Sequence, residues 1–213
     1  MHIADGFLPA KVCIAGYAVA GAATWFSLRQ IDRKTDPQEN LPKAALLTAA
    51  FFVASLIHVP IPPASVHLVL NGLLGAVLGY YAFPAILVGL FFQVVMFQHG
   101  GMSVLGVNAV TIGIPALVAA YVFQLRHIFG RDNRRGLGVF GFLAGALGVG
   151  LSALIFFALV VSNVPAEVDA GAERSAVWLL TLAHLPLMAI EGLFTSTLVL
   201  FLHQVKPNLL QGR

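Results

Sequence analysis

Residues Val66 to Gln98 read VHLVLNGLLGAVLGYYAFPAILVGLFFQVVMFQ, an apolar stretch of more than 30 residues. One α-helix of that length, rising about 1.5 Å per residue, is far longer than the hydrocarbon core of a bilayer, which is roughly 30 Å thick. We therefore expect a break at Tyr80-Tyr81-Ala82-Phe83-Pro84, where interfacial aromatic residues precede a proline suited to begin a helix. The stretch predicts two short membrane spans.

The composition of the whole chain agrees with a membrane location. The chain has 213 residues, of which 59% are hydrophobic and 10% are charged, whereas soluble domains carry about 25% charged residues. This predicts an integral membrane protein with residues 1–213 as a single membrane domain. Its net charge of +3 does not indicate nucleic-acid binding, because the basic residues fall in short loops between spans. The one cysteine, Cys13, lies inside the first span and excludes disulfides and thiolate metal sites.

Five further apolar stretches bring the prediction to an all-α protein with about seven transmembrane helices. They cover about 12–28, 44–59, 104–125, 137–161 and 176–203. With the amino terminus outside and the carboxy terminus inside, the inner segments hold ten of the 12 Lys and Arg residues. This agrees with the positive-inside rule, whereas six spans would put the basic cluster at 126–135 outside. We expect a multi-pass protein of the plasma or inner membrane.

The first seven residues, Met1-His2-Ile3-Ala4-Asp5-Gly6-Phe7, form a ready-made chelator. The α-amine of Met1, the backbone nitrogen of His2 and the His2 Nδ1 atom close two fused rings around one metal ion. Three nitrogens nearly in a plane suit Ni(II) or Cu(II), with Co(II) also open. The site requires a retained Met1 and no signal-peptide cleavage, and we expect both, because no Lys or Arg precedes Lys11 and no cleavage motif follows. A fourth ligand must come from elsewhere in the chain.

Histidines predicted at the outer ends of spans are the candidates for this fourth ligand. We choose His67, which follows the rigid segment Pro60-Ile61-Pro62-Pro63-Ala64-Ser65 and is expected in the first turn of the third span. His58 is the rival ligand. Polar packing or interfacial solvation is the alternative reading for each of these side chains.

Other polar residues near this outer end are candidates for a second shell or lid. His99 belongs to the tight loop Gln98-His99-Gly100-Gly101, which we expect to cover the site. Asn71 and Asn108 are predicted to orient the amino-terminal segment by hydrogen bonds. His184 and Glu191 lie seven residues apart on one face of the last span, and Glu191 is either part of a release pathway or a buried hydrogen-bond anchor.

The chain lacks the motifs of common enzymes. There is no His-Glu-x-x-His zinc motif, no Gly-x-Ser-x-Gly nucleophile elbow and no Gly-x-x-x-x-Gly-Lys-Ser/Thr phosphate loop. We therefore expect a transporter component that depends on a partner to hydrolyse nucleotide. Two other classes stay open: a membrane redox protein with His58, His99 and His184 as haem ligands, and a passive channel lined by His184 and Glu191.

Four motifs are spread along the chain: MHIxDGFLP at 1–9, SVHL at 65–68, HGGMSVLGVN at 99–108 and HLPLMAIEG at 184–192. They resemble those of the NikM/CbiM family, the substrate-capturing membrane subunits of energy-coupling-factor transporters for nickel or cobalt. The resemblance covers essentially the whole chain. It implies a seven-helix subunit whose amino terminus is tucked into the bundle, with Ni2+ or Co2+ as the transported substrate. Which of the two metals is carried stays open.

The resemblance also implies ligands and partners. The metal would be held by the Met1 amine, the His2 backbone nitrogen and imidazole, and His67. The partners implied are a transmembrane coupling subunit, paired ATP-binding subunits and, in some relatives, a small accessory membrane subunit. Because this sequence ends at Arg213, we expect any accessory part to be a separate chain. No nucleic acid is implied, and the lipid bilayer is the surrounding medium.

Overall fold

The computed structural model describes residues 2–61, 64–129, 133–163 and 170–210, with the side chains of 58–61, 64, 65, 170, 172 and 173 outside the description. Within these ranges the chain forms seven α-helices and one short hairpin. The helices are α1 (Ala10–Asp32), α2 (Leu41–Ala54), α3 (Asn71–Leu78), α4 (Ala82–Phe97), α5 (Leu105–Gln124), α6 (Arg134–Ser162) and α7 (Ala170–Val205). The strands are β1 (His58–Ile61) and β2 (Ala64–His67), which pair antiparallel.

Five stretches of the described chain are long and apolar enough to cross a membrane. They are Ala10–Asp32, Asn71–Phe97, Leu105–Phe129, Arg134–Ser162 and Arg174–Val205, and α2 is a shorter apolar helix of 14 residues. The chain is therefore a multi-pass membrane protein, as its composition predicts. The count of seven spans and the orientation with the amino terminus outside stay predictions.

The long apolar stretch breaks where the sequence predicts. A 3-10 turn at Gly79–Tyr81 separates α3, of eight residues, from α4, of 16 residues. Gly79 has a φ of 59°, a left-handed conformation that glycine adopts without the cost of a side chain. The short helix α3 is almost wholly buried. Its glycines let α5 and α6 approach closely, since a Cβ on Gly75 would lie 2.1 Å from the carbonyl oxygen of Ala116.

The segment between α2 and α3 is not helical as predicted. We expect the second span to continue to Val59 and His67 to lie in a helical first turn, but α2 ends at Ala54 and α3 begins only at Asn71. Prolines at 60, 62 and 63 in the sequence remove backbone donors and disfavour the helical region for the residues before them. Pro62 and Pro63 themselves lie outside the described residues. The chain forms the β1–β2 hairpin instead, in which His58 pairs with His67.

Helices α6 and α7 pack along their length with backbones in close contact. A Cβ on Gly145 in α6 would lie 2.5 Å from the carbonyl oxygen of Glu191, and one on Gly141 would lie 2.7 Å from Val199. Small residues at such crossings let membrane helices approach closely. This packing fixes Glu191 in the interior, where it is fully buried.

Candidate metal centre

The amino-terminal segment folds back onto the helical bundle. Ile3 and Leu8 are 3% and 6% exposed and pack with Val104, Val107 and other apolar residues. The side chain of Asn108 in α5 pairs with both backbone groups of Ile3. The N–H of Ile3 donates to Oδ1 at 2.9 Å, and Nδ2 donates to the carbonyl oxygen at 3.0 Å. These two bonds fix the backbone directly after His2, the role that the sequence predicts for Asn108.

A second tie joins the amino-terminal segment to the loop after α4. The backbone N–H and the hydroxyl of Ser103 both donate to Oδ1 of Asp5, at 3.0 and 2.5 Å. The contact needs glycines in the loop, because a Cβ on Gly101 would lie 2.0 Å from Cγ of Asp5. Gly100 has a φ of 89°, which favours glycine. The His99-Gly100-Gly101 loop therefore lies directly against the segment that carries His2.

Three imidazoles meet where these segments converge. The candidate ligand atoms of His2, His67 and His99 all lie within 4.8 Å of one another. Nitrogens on opposite sides of one bound ion are about 4 Å apart, given metal–nitrogen distances near 2.0 Å. The His2 ring centroid lies 5.2 Å from that of His67 and 4.3 Å from that of His99, whose ring stands nearly perpendicular to both. The cluster has the size of a metal site.

The two nitrogens of His2 have different environments. Nε2 lies 3.0 Å from Oε1 of Gln93, whose Nε2 donates to the Ser55 hydroxyl at 3.0 Å; that hydroxyl donates to the carbonyl oxygen of Phe52. An amide oxygen only accepts, so His2 carries its proton on Nε2 and leaves the Nδ1 lone pair unprotonated. Nδ1 is buried and has no hydrogen-bond partner among the described residues. This is the nitrogen that the chelate predicted from the sequence would use.

The His2 imidazole is neutral at neutral pH. Burial lowers its pKa well below the ordinary value of 6.5, and the nearby His67 and His99 rings lower it further, while the hydrogen bond to Gln93 raises it. A lowered pKa means that the ring takes up a proton only in more acidic solution. Protons therefore do not compete for Nδ1 near pH 7, which suits a nitrogen that binds a cation.

The His67 ring is fixed by a hydrogen bond to the residue that follows it. It ends strand β2, is 8% exposed, and its Nδ1 donates to the carbonyl oxygen of Leu68 at 2.9 Å. Because the proton sits on Nδ1, the Nε2 atom is the one that carries a lone pair. The N–H of Leu68 donates to the carbonyl oxygen of Ile57 at 3.3 Å, which ties the turn to the start of the hairpin.

Glu191 anchors the residues that follow His67. Its carboxylate accepts from the N–H of Val69 and, at 2.8 Å, from the N–H of Leu70. Leu70 precedes α3 and has a φ of 53°, an uncommon value for a residue with a side chain. The carboxylate also lies at the positive end of the α3 dipole. Of the two roles that the sequence leaves open for Glu191, the structure supports the buried hydrogen-bond anchor.

The remaining candidates lie elsewhere. Met1 lies outside the described residues, and so does the side chain of His58, whose backbone pairs with His67 in the hairpin. Asn71 does not orient the amino-terminal segment as predicted. Its amide group donates to the carbonyl oxygens of Ile112 and Gly148 and to the hydroxyl of Ser152, because it begins α3 deep in the bundle. His184 is buried in α7, with Nδ1 donating to the carbonyl oxygen of Leu180.

Comparison with known proteins identifies the family. The family described as the cobalt uptake substrate-specific transmembrane region, CbiM, matches residues 2–209. The chain belongs to the CbiM family. A relative from Haemophilus influenzae, named "Putative metal transport protein", is 36% identical over 212 residues, which cover 99% of this chain and 97% of the relative. The fused nickel transport protein NikMN of Rhodobacter capsulatus is 31% identical; the match covers this whole chain and 65% of that protein.

The fold agrees with that of a solved transporter. The crystal structure of a truncated transition metal transporter matches 96% of this chain and 99% of its own chain, with a TM-score of 0.77 and 21% sequence identity. At that identity the likeness concerns the fold. Together with the CbiM match it shows a multi-pass membrane protein of cobalt or nickel transport.

Proposed function

We propose that this chain captures Ni(II) or Co(II) for uptake with a site built on its own amino terminus. The ligands in this proposal are the Met1 amine, the backbone nitrogen and Nδ1 of His2, and Nε2 of His67. The observation that carries it is the His2 imidazole: its Nδ1 atom is buried without a hydrogen-bond partner in the described chain, and the candidate ligand atoms of His2, His67 and His99 lie within 4.8 Å of one another. Leaving a buried polar atom unpaired costs about 1–3 kcal/mol, and a bound cation would recover that cost.

The hydrogen bonds around the histidines support the same ligand atoms. Gln93 accepts the Nε2 proton of His2, and Leu68 accepts the Nδ1 proton of His67. Ligating histidines commonly give their second N–H to such an acceptor, which fixes the tautomer and the ring direction. In this proposal His99, perpendicular to both rings, closes the site on the face above the ligand plane.

We further propose that the chain is the substrate-binding subunit of an energy-coupling-factor transporter. A transmembrane coupling subunit and ATP-binding subunits would drive release of the metal, with a small accessory membrane subunit as a further partner. Metal uptake into cells or vesicles should require the ATP-binding subunits and hydrolysable ATP. Equal uptake by vesicles that contain this chain alone would instead indicate a passive channel.

The decisive test of the metal site uses the amino terminus itself. We expect isothermal titration of Ni(II) and Co(II) to show tight binding to protein that begins at Met1 and carries its purification tag at the carboxy terminus. A Gly-Gly-Gly extension before Met1 turns the α-amine into a peptide nitrogen and places the new amine too far from His2 to chelate with it, so we expect it to abolish that binding. A single added residue is avoided because a histidine third from a free amine makes a planar nickel chelate of its own. Unchanged affinity in the extended protein would refute the proposal, and comparison of the two metals identifies the preferred substrate.

A further inference from the structure

The end of the bundle opposite the three histidines contains a cavity of about 540 Å³. It lies where α1, α3, α5 and α7 end and where α2 begins. Its lining includes Lys34, Lys43, Arg126, His127 and His203, and no Asp or Glu of the described residues lines it. Several cationic groups therefore converge on one space, and the described residues that line it include no acidic one.

Arg126 is the clearest sign that this cavity is built for a ligand. Its side chain is 7% exposed and lies over the Phe123 ring, with the guanidinium carbon 4.0 Å from the ring centroid. The guanidinium donates to the carbonyl oxygens of Phe123 and Leu210, both at 3.0 Å. In the described part of the chain no carboxylate pairs with it. A buried guanidinium without a counter-charge is costly, so an anion in the cavity would stabilise it.

The two lysines add charge to the same space. Lys43 donates to the carbonyl oxygen of Leu209 at 3.0 Å, and the Lys34 ammonium lies 5.2 Å from the centroid of the Tyr81 ring. Glu39 acts on both lysines electrostatically, but it does not line the cavity. Carbonyl oxygens and an aromatic ring offset only part of a full positive charge.

We propose that this cavity binds a phosphate-bearing anion, and that its source is the head group of an anionic phospholipid. Arginine and lysine are the side chains that bind phosphate oxygens most readily. The cavity lies between helices at one end of a membrane-spanning bundle, and the positive-inside pattern predicts that this end is cytoplasmic. Basic pockets between transmembrane helices on that side bind the head groups of anionic lipids. The proposal is independent of the metal site.

The test is native mass spectrometry of the full chain purified in detergent with phosphatidylglycerol and phosphatidylcholine. We expect wild-type protein to retain phosphatidylglycerol in preference to phosphatidylcholine. The double variant Lys34→Gln/Lys43→Gln should retain at least about tenfold less, in line with the loss of two charge-assisted contacts. Lys206→Gln is the matched control, because Lys206 is exposed at the same end and does not line the cavity. Arg126 is left intact because its guanidinium is buried and bonds both to Phe123 and to Leu210.

Further measurements separate the outcomes. Thermal unfolding of each variant checks the fold without reference to metal binding. Inorganic phosphate, followed by phosphorus NMR on delipidated protein, tests the soluble source: binding that depends on the two lysines supports the phosphate site and assigns free phosphate to it. Two results overturn the proposal. One is wild-type protein that retains both lipids equally. The other is a folded double variant that retains as much phosphatidylglycerol as wild type, together with phosphate binding that does not depend on the two lysines. That result would leave carboxylates of a partner protein as the counter-charges.

Discussion

The two ends of the helical bundle differ in the kind of polar group that they bury. At one end three imidazoles meet, and the one nearest the amino terminus is kept neutral by burial and has a lone pair to give. At the other end the cavity is lined by the buried guanidinium of Arg126 and the half-buried ammonium groups of Lys34 and Lys43, which have no lone pair to give. The first arrangement suits a cation that is bound through nitrogen. The second repels cations and suits an anion.

Helix α3 connects the two ends. Its amino-terminal turn is held by the carboxylate of Glu191, and its last residues line the basic cavity. A negative group at the amino end and positive groups at the carboxyl end both stabilise the helix dipole. A metal ion that left the histidines along α3 would approach Lys34, Lys43 and Arg126. We therefore expect release to require a change in the histidine end rather than passage through the basic cavity.

The largest effect expected at the histidine end is that of His67→Ala. The variant removes the nitrogen that completes the proposed planar site, and we expect Ni(II) affinity to fall by about 1000-fold or more, roughly 4 kcal/mol. His58→Ala is the matched control, since His58 pairs with His67 in the hairpin but is not assigned to the site. Isothermal titration of protein with a native amino terminus measures both. Equal losses in the two variants would contradict the choice of His67.

Glu191→Gln should have the next largest effect, because it acts on His67 through the turn. An amide in place of the carboxylate offers one acceptor oxygen where two are used, and its NH2 group faces a backbone donor. We expect Ni(II) affinity to fall about 10–100-fold, the range for residues that orient metal ligands. The visible absorption bands of the Ni(II) complex should shift towards those of His67→Ala, which a general loss of stability would not produce.

The control for Glu191 lies one turn further along the same helix. Thr195 is fully buried and its hydroxyl has no partner in the described chain. Thr195→Val therefore replaces a buried side chain with one of similar size and removes no hydrogen bond. We expect unchanged affinity and an unchanged spectrum. A spectrum of Glu191→Gln identical to wild type would show that the carboxylate does not position His67.

The sequence predicts the features that depend on local pattern. The break at Gly79–Tyr81 follows from the length of one apolar stretch, and the contact of Asn108 with the amino-terminal segment follows from a polar residue one turn into a predicted span. The hairpin at His58–His67 is not predicted. Its prolines mark the end of a helix in sequence, but strand pairing depends on contacts that no local pattern specifies.

Two positioning residues show where sequence reasoning ends. Gln93 is a polar residue inside the apolar helix α4, and such residues usually have a partner in the bundle. That signal marks it as unusual, but its partner His2 is 91 positions away. Glu191 is also a polar residue inside an apolar helix. Its bonds to Val69 and Leu70, however, depend on how α7 crosses α6. The sequence indicates which residues need partners, and the tertiary fold decides which partners they have.

Gln93→Met removes the acceptor that fixes the tautomer of His2 at the histidine end. Methionine fills a similar volume without an amide oxygen. We expect about a tenfold loss of Ni(II) affinity, at the low end of the effect of such acceptors, and a smaller loss in Ser55→Ala, which removes the next link. Nitrogen NMR of the metal-free protein at pH 7 should show His2 protonated on Nε2 in wild type and a mixture in the variant.

The control for Gln93 is Gln204→Met, which makes the same exchange at an exposed position of α7. It should change neither the affinity nor the NMR signals. A variant Gln93→Met that keeps the wild-type tautomer would show that another group fixes His2.

The smallest effect is expected from Gly101→Ala, which tests how closely the loop after α4 holds the amino-terminal segment. The new Cβ would lie 2.0 Å from Cγ of Asp5, so Asp5 must move and weaken its bonds to Ser103. Overpacking of this kind costs about 1 kcal/mol or more, and we expect Ni(II) affinity to fall by roughly fivefold. Gly21→Ala, in α1, is the matched control because nothing lies within 4 Å of its new Cβ. If the two variants bind Ni(II) equally well, the Asp5–Ser103 contact does not position His2, and the Asn108 bonds and the packing of Ile3 and Leu8 hold that segment against the bundle without it.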